Sequence, residues 1–508
     1  MSHAQPAHEG AAEGAADLAA LARGGRTNTM GFVLRLAARI PFLVIATRLY
    51  GAEALGRFAS ALVLIEIVAL VCSLGEKRGL AQRLSEGAGD NRAAETNLVY
   101  DGIVLALVWS ALAAGLLLLF PEPMFPNGMN SPLDIWLVAT IPAFAVTEIL
   151  LAAQAYRFDI ATTVRTRAVV EPWTISIAAG LFFYLPGTRE AGLALAFITS
   201  IYAGLLTAAW PFLAAYGLPR GWRLAPRALL AMSARALPII GADAIERGTR
   251  LLDIFILGLF APPQAVGIYY AAQQIASLPQ KLKTSFEPVL SPVITRNLRI
   301  GNHEAIAAQV RQVGFWIIAV QLGIALALGV PGEAVMGLWG PDYVAGTAAL
   351  VLLLAAEVAA SLAVVSESVL VYIARKRNLL ISLFIIALQA GLTVALIEAA
   401  GRLGLGKGYE AAAAAGALMI ALATSSLVKA LLLSRLLGAP VNNWRWALIH
   451  AAAAAVVVGF VFTLLPEWIE LLLGIPAVLA TYGWVIWQRG FDESDKVLFR
   501  KQVVPDRA

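Results

Sequence analysis

Apolar runs of about 20 residues recur along the whole of this 508-residue chain, and that length matches the roughly 30 Å hydrocarbon core of a bilayer at 1.5 Å of helical rise per residue. Composition agrees: 59% of the residues are hydrophobic and 14% are charged, too few charges for a domain whose surface must meet water. Backbone groups in lipid have to be satisfied within a helix or a closed barrel. The Leu, Ala and Val runs lack the alternation of barrel strands, so the reading is an all-α, polytopic membrane protein.

Breaks at charged or Pro/Gly-rich stretches divide the runs into about fourteen spans. The first six are placed at roughly 30–50, 54–74, 98–120, 133–155, 168–186 and 191–216. The other eight are placed at roughly 237–260, 265–295, 313–331, 346–373, 379–398, 410–434, 446–465 and 470–488. This implies a six-helix bundle over 30–216, a second over 237–434, two extra helices over 446–488, and cytosolic tails over 1–29 and 489–508.

Lysine and arginine test the count independently, because cytoplasmic loops collect them. Alternate loops carry 26 basic residues on one side, among them Arg157, Arg165, Arg167 and the run Arg375, Lys376, Arg377, against Arg189, Arg402 and Lys407 on the other. Both termini are therefore expected in the cytoplasm of a cell whose inner membrane holds the chain. The loops are too short for a folded soluble domain, and Gly404–Gly408 around Lys407 has neither the spacing nor the following hydroxyl of a nucleotide-binding loop. The single Cys72 and four scattered histidines offer no metal site. No cofactor, no metal, no nucleic acid and no enzymatic activity are expected, and the chain is expected to act as a monomer.

Two dissimilar landmarks keep nearly one register. LYGAEALGRFASA from Leu49 corresponds to FAPPQAVGIYYAA from Phe260, an offset of 211, and GDNRAAETN from Gly89 corresponds to GNHEAIAAQ from Gly301, an offset of 212. Six spans separate the equivalent helices, so the halves are expected to be parallel repeats, two pseudo-symmetric bundles around a central cavity.

Nine basic residues fall within or at the ends of spans: Arg35, Arg39, Arg48, Arg57, Arg247, Arg250, Lys281, Lys283 and Lys429. Eight of them lie in helices 1, 2, 7 and 8, the equivalent pairs of the repeat. Each intramembrane charge costs at least about 2.5–3.5 kcal/mol, so such a concentration points to a hydrated cavity that accepts a diphosphate or another polyanionic head group. Arg35, Arg39, Arg247, Arg250, Lys281 and Lys283 are the candidate substrate-binding residues. Arg48 and Arg57 lie near the outer ends of their spans, where snorkelling is the simpler account, and Lys429 reads as a snorkeller at an inner end. Asp243 with Arg247 and Glu246 with Arg250 are i, i+4 pairs, with Asp253 three residues beyond Arg250, so helix 7 is also able to neutralise itself. Glu66 in helix 2 is either a counter-ion or a coupling carboxylate. Glu148, Glu357 and Glu367 are weaker coupling candidates.

Two stretches carry a resemblance to a known group. RLYGAEALGRFASALVLIEIVALVCSLGEKRGLAQRLSE from Arg48, and the region from RLLDIFILGLFAPPQAVGIYYAAQQIASLP at Arg250 to SPVITRNLRIGN ending at Asn302, are similar to polysaccharide-export flippases of the multidrug/oligosaccharidyl-lipid/polysaccharide (MOP) superfamily, which includes Wzx-type flippases and the lipid II flippase. The resemblance implies a cationic cavity for a polyprenyl-diphosphate-linked glycan, with membrane lipids around it and glycan polymerase or export proteins as pathway partners. Arg35, Arg39 and Lys281 fall where such flippases place basic residues. Helix 2 departs from the pattern, with Arg57 near its outer end and acidic Glu66 midway. A cation-coupled multidrug exporter of the same superfamily and a membrane-embedded glycan polymerase or glycosyltransferase are the alternatives.

Overall fold

The computed structural model describes residues 38–87, 91–223, 225–283, 294 and 297–492, which contain helices and connecting turns and no strand. The chain divides into two compact units, Met1–Leu251 and Leu252–Ala508.

In the first unit, α1 (38–50) ends in a π-helical turn, Ala46–Tyr50, and α2 (Gly51–Cys72) follows directly. A single rod of 35 residues would be about 52 Å long, far beyond one bilayer core. The chain breaks instead at Gly51, whose φ of +81° needs a residue without a Cβ. Two spans result, as the apolar runs imply. Amphipathic α3 (Glu76–Gly87) buries Leu80 and Leu84, one helical turn apart. Helices α4 (Arg92–Leu119), α5 (Pro132–Tyr156), α6 (160–184) and α7 (Gly192–Tyr216) complete the bundle, with α7 packed along both α5 and α6. Small residues set the approach of α1 to α7: a Cβ on Gly192 would stand on the ring of Tyr50, whose hydroxyl donates to the Ala179 carbonyl at 2.7 Å.

Helix α8 (Pro226–Phe260) leads into the second unit. There follow α9 (Pro263–Lys283), α10 (His303–Gly329), α11 (Gly332–Gly337) and α12 (Pro341–Ser361). After them come α13 (Val364–Ile373), α14 (Arg375–Arg402), α15 (Lys407–Leu437), α16 (Trp446–Thr463) and α17 (Glu467–Gly490). An alanine-rich face of α15, with Ala411, Ala414, Ala415 and Ala421 fully buried, lets α12 and α14 pack closely against it. The last two helices lean on α10, where Gly323 accommodates the Tyr482 ring and Gly459 accommodates Val330 and Val478.

Ten of these helices are long and apolar enough to cross a membrane by length and composition alone, α1 and α2 counting as one. Dividing that one at Gly51 and adding α6, α8 and α9, which that count leaves out, yields about fourteen. The chain is a multi-pass membrane protein. The repeat has a structural counterpart as well. Asn91 caps α4 by accepting from the Ala93 and Ala94 amides, and Asn302, 211 positions later, caps α10 by accepting from the Ala305 amide.

Two expectations need correction. The fifth helix starts at Ile160 rather than near 168, so Arg165 and Arg167 are helical residues and not loop residues. The expected span 346–373 is discontinuous, because α12 ends at Ser361 and α13 starts at Val364.

Candidate functional site

The expected cationic set lies only partly within the described residues. Arg35 lies outside them. Arg247, Asp243 and Glu246 are on α8, and Lys281 and Lys283 on the last turn of α9, with the backbone helical at each and the side chains outside the described residues. Arg39, at the start of described α1, is exposed, Arg250 on α8 is half-buried, and Glu66 is half-buried midway along α2. Arg57 is held near the start of α2, where its guanidinium pairs with Glu53 at 2.7 Å and donates to the Met129 carbonyl at 3.3 Å.

In the second unit, the structure joins Asp253 and Tyr269, both in the stretch from Arg250 that carries the resemblance. Asp253 and Tyr269 are both fully buried, and the Tyr269 hydroxyl donates a short hydrogen bond to Asp253 Oδ2. The Ile254 amide donates to Oδ1 at 2.8 Å. A carboxyl group inside a bilayer demands such donors, and this pair ties α8 to α9.

Another buried charge among the described residues of this unit is Lys429, which is not a snorkeller. Its side chain is 5% exposed and its ammonium lies 2.8 Å from Glu367 Oε1. The helix that carries Lys429 also reaches the gap between α12 and α13: Ser426 donates to the Ala359 carbonyl at 2.6 Å, and Asn443, beyond the end of that helix, donates to the Leu362 carbonyl at 3.0 Å. The Asn443 bond serves a carbonyl at the break in the helix, and the Ser426 bond adds a second donor to the Ala359 carbonyl, which already accepts from the Leu362 amide.

The first unit contains an ion cluster of which only Glu148 was a sequence-based candidate. Arg167 lies in a π-helical stretch of α6, Arg165–Val170, a distortion frequent at functional positions. One guanidinium nitrogen donates to both oxygens of Glu171, at 2.7 and 3.0 Å, and another donates to Glu148 of α5. The Arg167 guanidinium also lies 4.8 Å from the Phe144 ring centroid. The i, i+4 spacing of Arg167 and Glu171 is the local signal that could have found this cluster.

A second knot joins the ends of α4, α5 and α7. Arg157 pairs with Glu95 at 2.5 Å, stacks 3.7 Å from the centroid of the Tyr216 ring and donates to the Ala215 carbonyl at the end of α7. The Tyr216 hydroxyl returns a bond to the Ala153 carbonyl at 2.6 Å. Like Arg167, Arg157 is a packed structural cation and not a free loop charge.

A family profile described as "Polysaccharide biosynthesis protein" matches residues 23–298. No curated protein matches the sequence. Among solved structures, the lipid II flippase MurJ in an inward closed conformation aligns with a TM-score of 0.65 at 12% identity, covering 93% of this chain and 100% of that one. An inward-facing MATE multidrug resistance transporter of the MOP superfamily aligns with a TM-score of 0.64 at 14% identity, covering 79% and 95%. A mutant of a Vibrio cholerae MATE transporter aligns at 0.52 with 15% identity, covering 83% and 98%. At these identities the likeness concerns the fold.

Proposed function

The chain belongs to the polysaccharide biosynthesis protein family, within the MOP superfamily of transporters and flippases, and from that membership we propose its cargo and its working cycle. The protein is a flippase that carries an undecaprenyl-diphosphate-linked oligosaccharide, the unit of an O-antigen, exopolysaccharide or related glycan, across the bacterial inner membrane by alternating access. The observation that carries this reading is the family match over residues 23–298, which takes in α1, α2, α8 and α9, the helices on which the intramembrane cations concentrate.

A diphosphate attached to a polyprenol needs positive partners at membrane depth, and guanidinium forks match its oxygens. Arg35, Arg39, Arg247, Arg250, Lys281 and Lys283 supply them. Glu66, Asp243, Glu246 and Asp253 balance the charge when the head group is absent or couple its release to a cation. Both termini are cytoplasmic, the chain works as a monomer, and glycan polymerase or export proteins receive the product.

Deleting the gene tests the reading. A lipid-linked oligosaccharide should accumulate on the cytoplasmic leaflet, and unaltered glycan export in the deletion strain would remove the proposal. One observation favours a second reading, a cation-coupled exporter: the fully buried Asp253 with its Tyr269 partner provides a carboxyl group able to bind a cation in the membrane. Efflux of a cationic dye by proteoliposomes, with no movement of lipid-linked glycan, would favour it.

A further inference from the structure

The buried ammonium of Lys429 has no role in the cation set assigned above. Lys429 stands eight residues before the end of α15 at Leu437, about 12 Å by helical rise. Its side chain is 5% exposed, whereas its partner Glu367 is 47% exposed. A pair buried so unequally has one partner that can leave and one that cannot. The carboxylate can turn away at little cost, but the ammonium would then be a buried charge without an anion, and that is strongly unfavourable. The geometry is that of a cation whose present anion is exchangeable.

The neighbourhood favours a replacement. Glu367 lies in the first turn of α13, which starts afresh after the gap at Leu362 and Ala363. Ala363 is the N-cap and contributes no side-chain cap, so this turn presents amide donors and the positive end of the helix dipole. Ser366, in the same turn, is 1% exposed, and its hydroxyl has no hydrogen-bond partner among the described residues. On the other side of the gap the carbonyls of Ala359 and Leu362 are taken by Ser426 and Asn443. Those acceptors of the broken helix are thus satisfied, whereas the buried Ser366 hydroxyl keeps its donor without a partner among the described residues.

We propose that Lys429, Ser366 and the first turn of α13 form an oxyanion site in the second unit, filled in the unliganded chain by the Glu367 carboxylate and taken by the diphosphate of the substrate during transport. Glu367 is then a stand-in anion that keeps Lys429 neutralised between cycles. The proposal depends on the flippase reading for the source of the phosphate; the exchange itself does not.

The test uses the purified full-length protein and inorganic pyrophosphate as the probe, with affinity measured by calorimetry and stability by thermal midpoint. Glu367→Gln should lower the midpoint without pyrophosphate, bind the probe at least about tenfold tighter than the wild type, and recover its midpoint when the probe is present. Lys429→Gln should bind at least about tenfold more weakly. The double variant, with no unpaired charge, should regain the wild-type midpoint and gain nothing from pyrophosphate. Wild-type affinity in Lys429→Gln, or affinity unmoved by Glu367→Gln, overturns the site. Displacement of the probe by farnesyl diphosphate and not by phosphatidylglycerol supports the substrate assignment, and the reverse order overturns it. Because no arm measures export, intact exchange together with unaltered glycan export in the deletion strain would remove the flippase reading alone.

Discussion

The carboxylate of Glu171 on α6 occupies the space in which a side chain on Gly204 of α7 would begin: a Cβ there would stand 2.5 Å from Oε1 and 2.9 Å from Cγ. Ser200, one turn earlier on α7, donates to the Glu171 carbonyl at 2.8 Å, so α7 holds both ends of this residue. Gly204→Ala should push the carboxylate off Arg167 and destabilise the protein by about 1–3 kcal/mol, the usual range for overpacking, measured as a fall in the thermal midpoint of the purified chain. Gly180→Ala on α6 is the control. Its Cβ would meet only Ile45 Cδ1, at 4.0 Å, and the midpoint should be unchanged or slightly raised.

Removing the cation of the cluster should cost more than crowding it. The Arg167 side chain is 14% exposed, and Glu148 and Glu171 are 20% and 14% exposed, so Arg167→Met leaves two largely buried carboxylates without their shared guanidinium. A loss of about 3–5 kcal/mol is expected. Arg167→Lys should recover only part of it, because a single ammonium cannot reproduce the fork that serves both carboxylates. Denaturation midpoints in detergent would check both variants, and an Arg167→Met protein as stable as wild type would show that the cluster does not hold α5 and α6 together.

The span architecture was legible because it follows from local apolar length, and the two asparagine caps, Asn91 and Asn302, fall within one position of the register that the repeat gives there. The charged clusters were not legible in the same way. Hydropathy stops at Arg165 and Arg167, so the first turns of α6 looked like loop until Glu148, 19 positions earlier, could be seen beside Arg167. Lys429 resembled an interfacial lysine for a similar reason, since its partner Glu367 sits 62 positions away on another helix. The gap at Leu362 and Ala363 contains neither proline nor glycine, and the side chains that stabilise it, Ser426 and Asn443, come from distant parts of the chain. Helix breaks written in long-range hydrogen bonds leave no local signature.

The knot around Arg157 makes a separable prediction. Arg157→Ala gives up the Glu95 pair, the stacking on Tyr216 and the bond to the Ala215 carbonyl together, and should destabilise by about 1–3 kcal/mol. A double-mutant cycle with Glu95→Gln should return a coupling of about 1 kcal/mol, since both side chains are partly exposed. A coupling near zero would place the contribution in the Tyr216 stack.

Tyr269 gives Asp253 its one side-chain donor among the described contacts. Tyr269→Phe keeps the ring volume but withdraws the hydroxyl, and should cost about 1–3 kcal/mol because the buried carboxyl group loses a hydrogen bond that water cannot replace. Asp253→Leu combined with Tyr269→Phe should be closer to wild type in thermal midpoint than Tyr269→Phe alone, since removing both polar partners is less costly than stranding one. Equal losses in the single and double variants would show that the hydroxyl, and not the stranded carboxyl, carries the effect.

Substitutions at Arg39 separate the contribution of charge at that position from general effects on insertion. Arg39 is exposed at the start of described α1, so its removal leaves no cavity and the protein should reach the membrane in normal amount. Arg39→Ala should slow translocation of the lipid-linked oligosaccharide in proteoliposomes by at least about tenfold, the loss of one charge-assisted contact to phosphate. Arg39→Lys should retain part of the rate, because an ammonium supplies the charge but not the bidentate fork. Arg48, nine positions further along the same helix and also exposed, is the control: if Arg48→Ala slows transport as much as Arg39→Ala, the effect belongs to the overall charge of α1 and not to a phosphate contact at position 39.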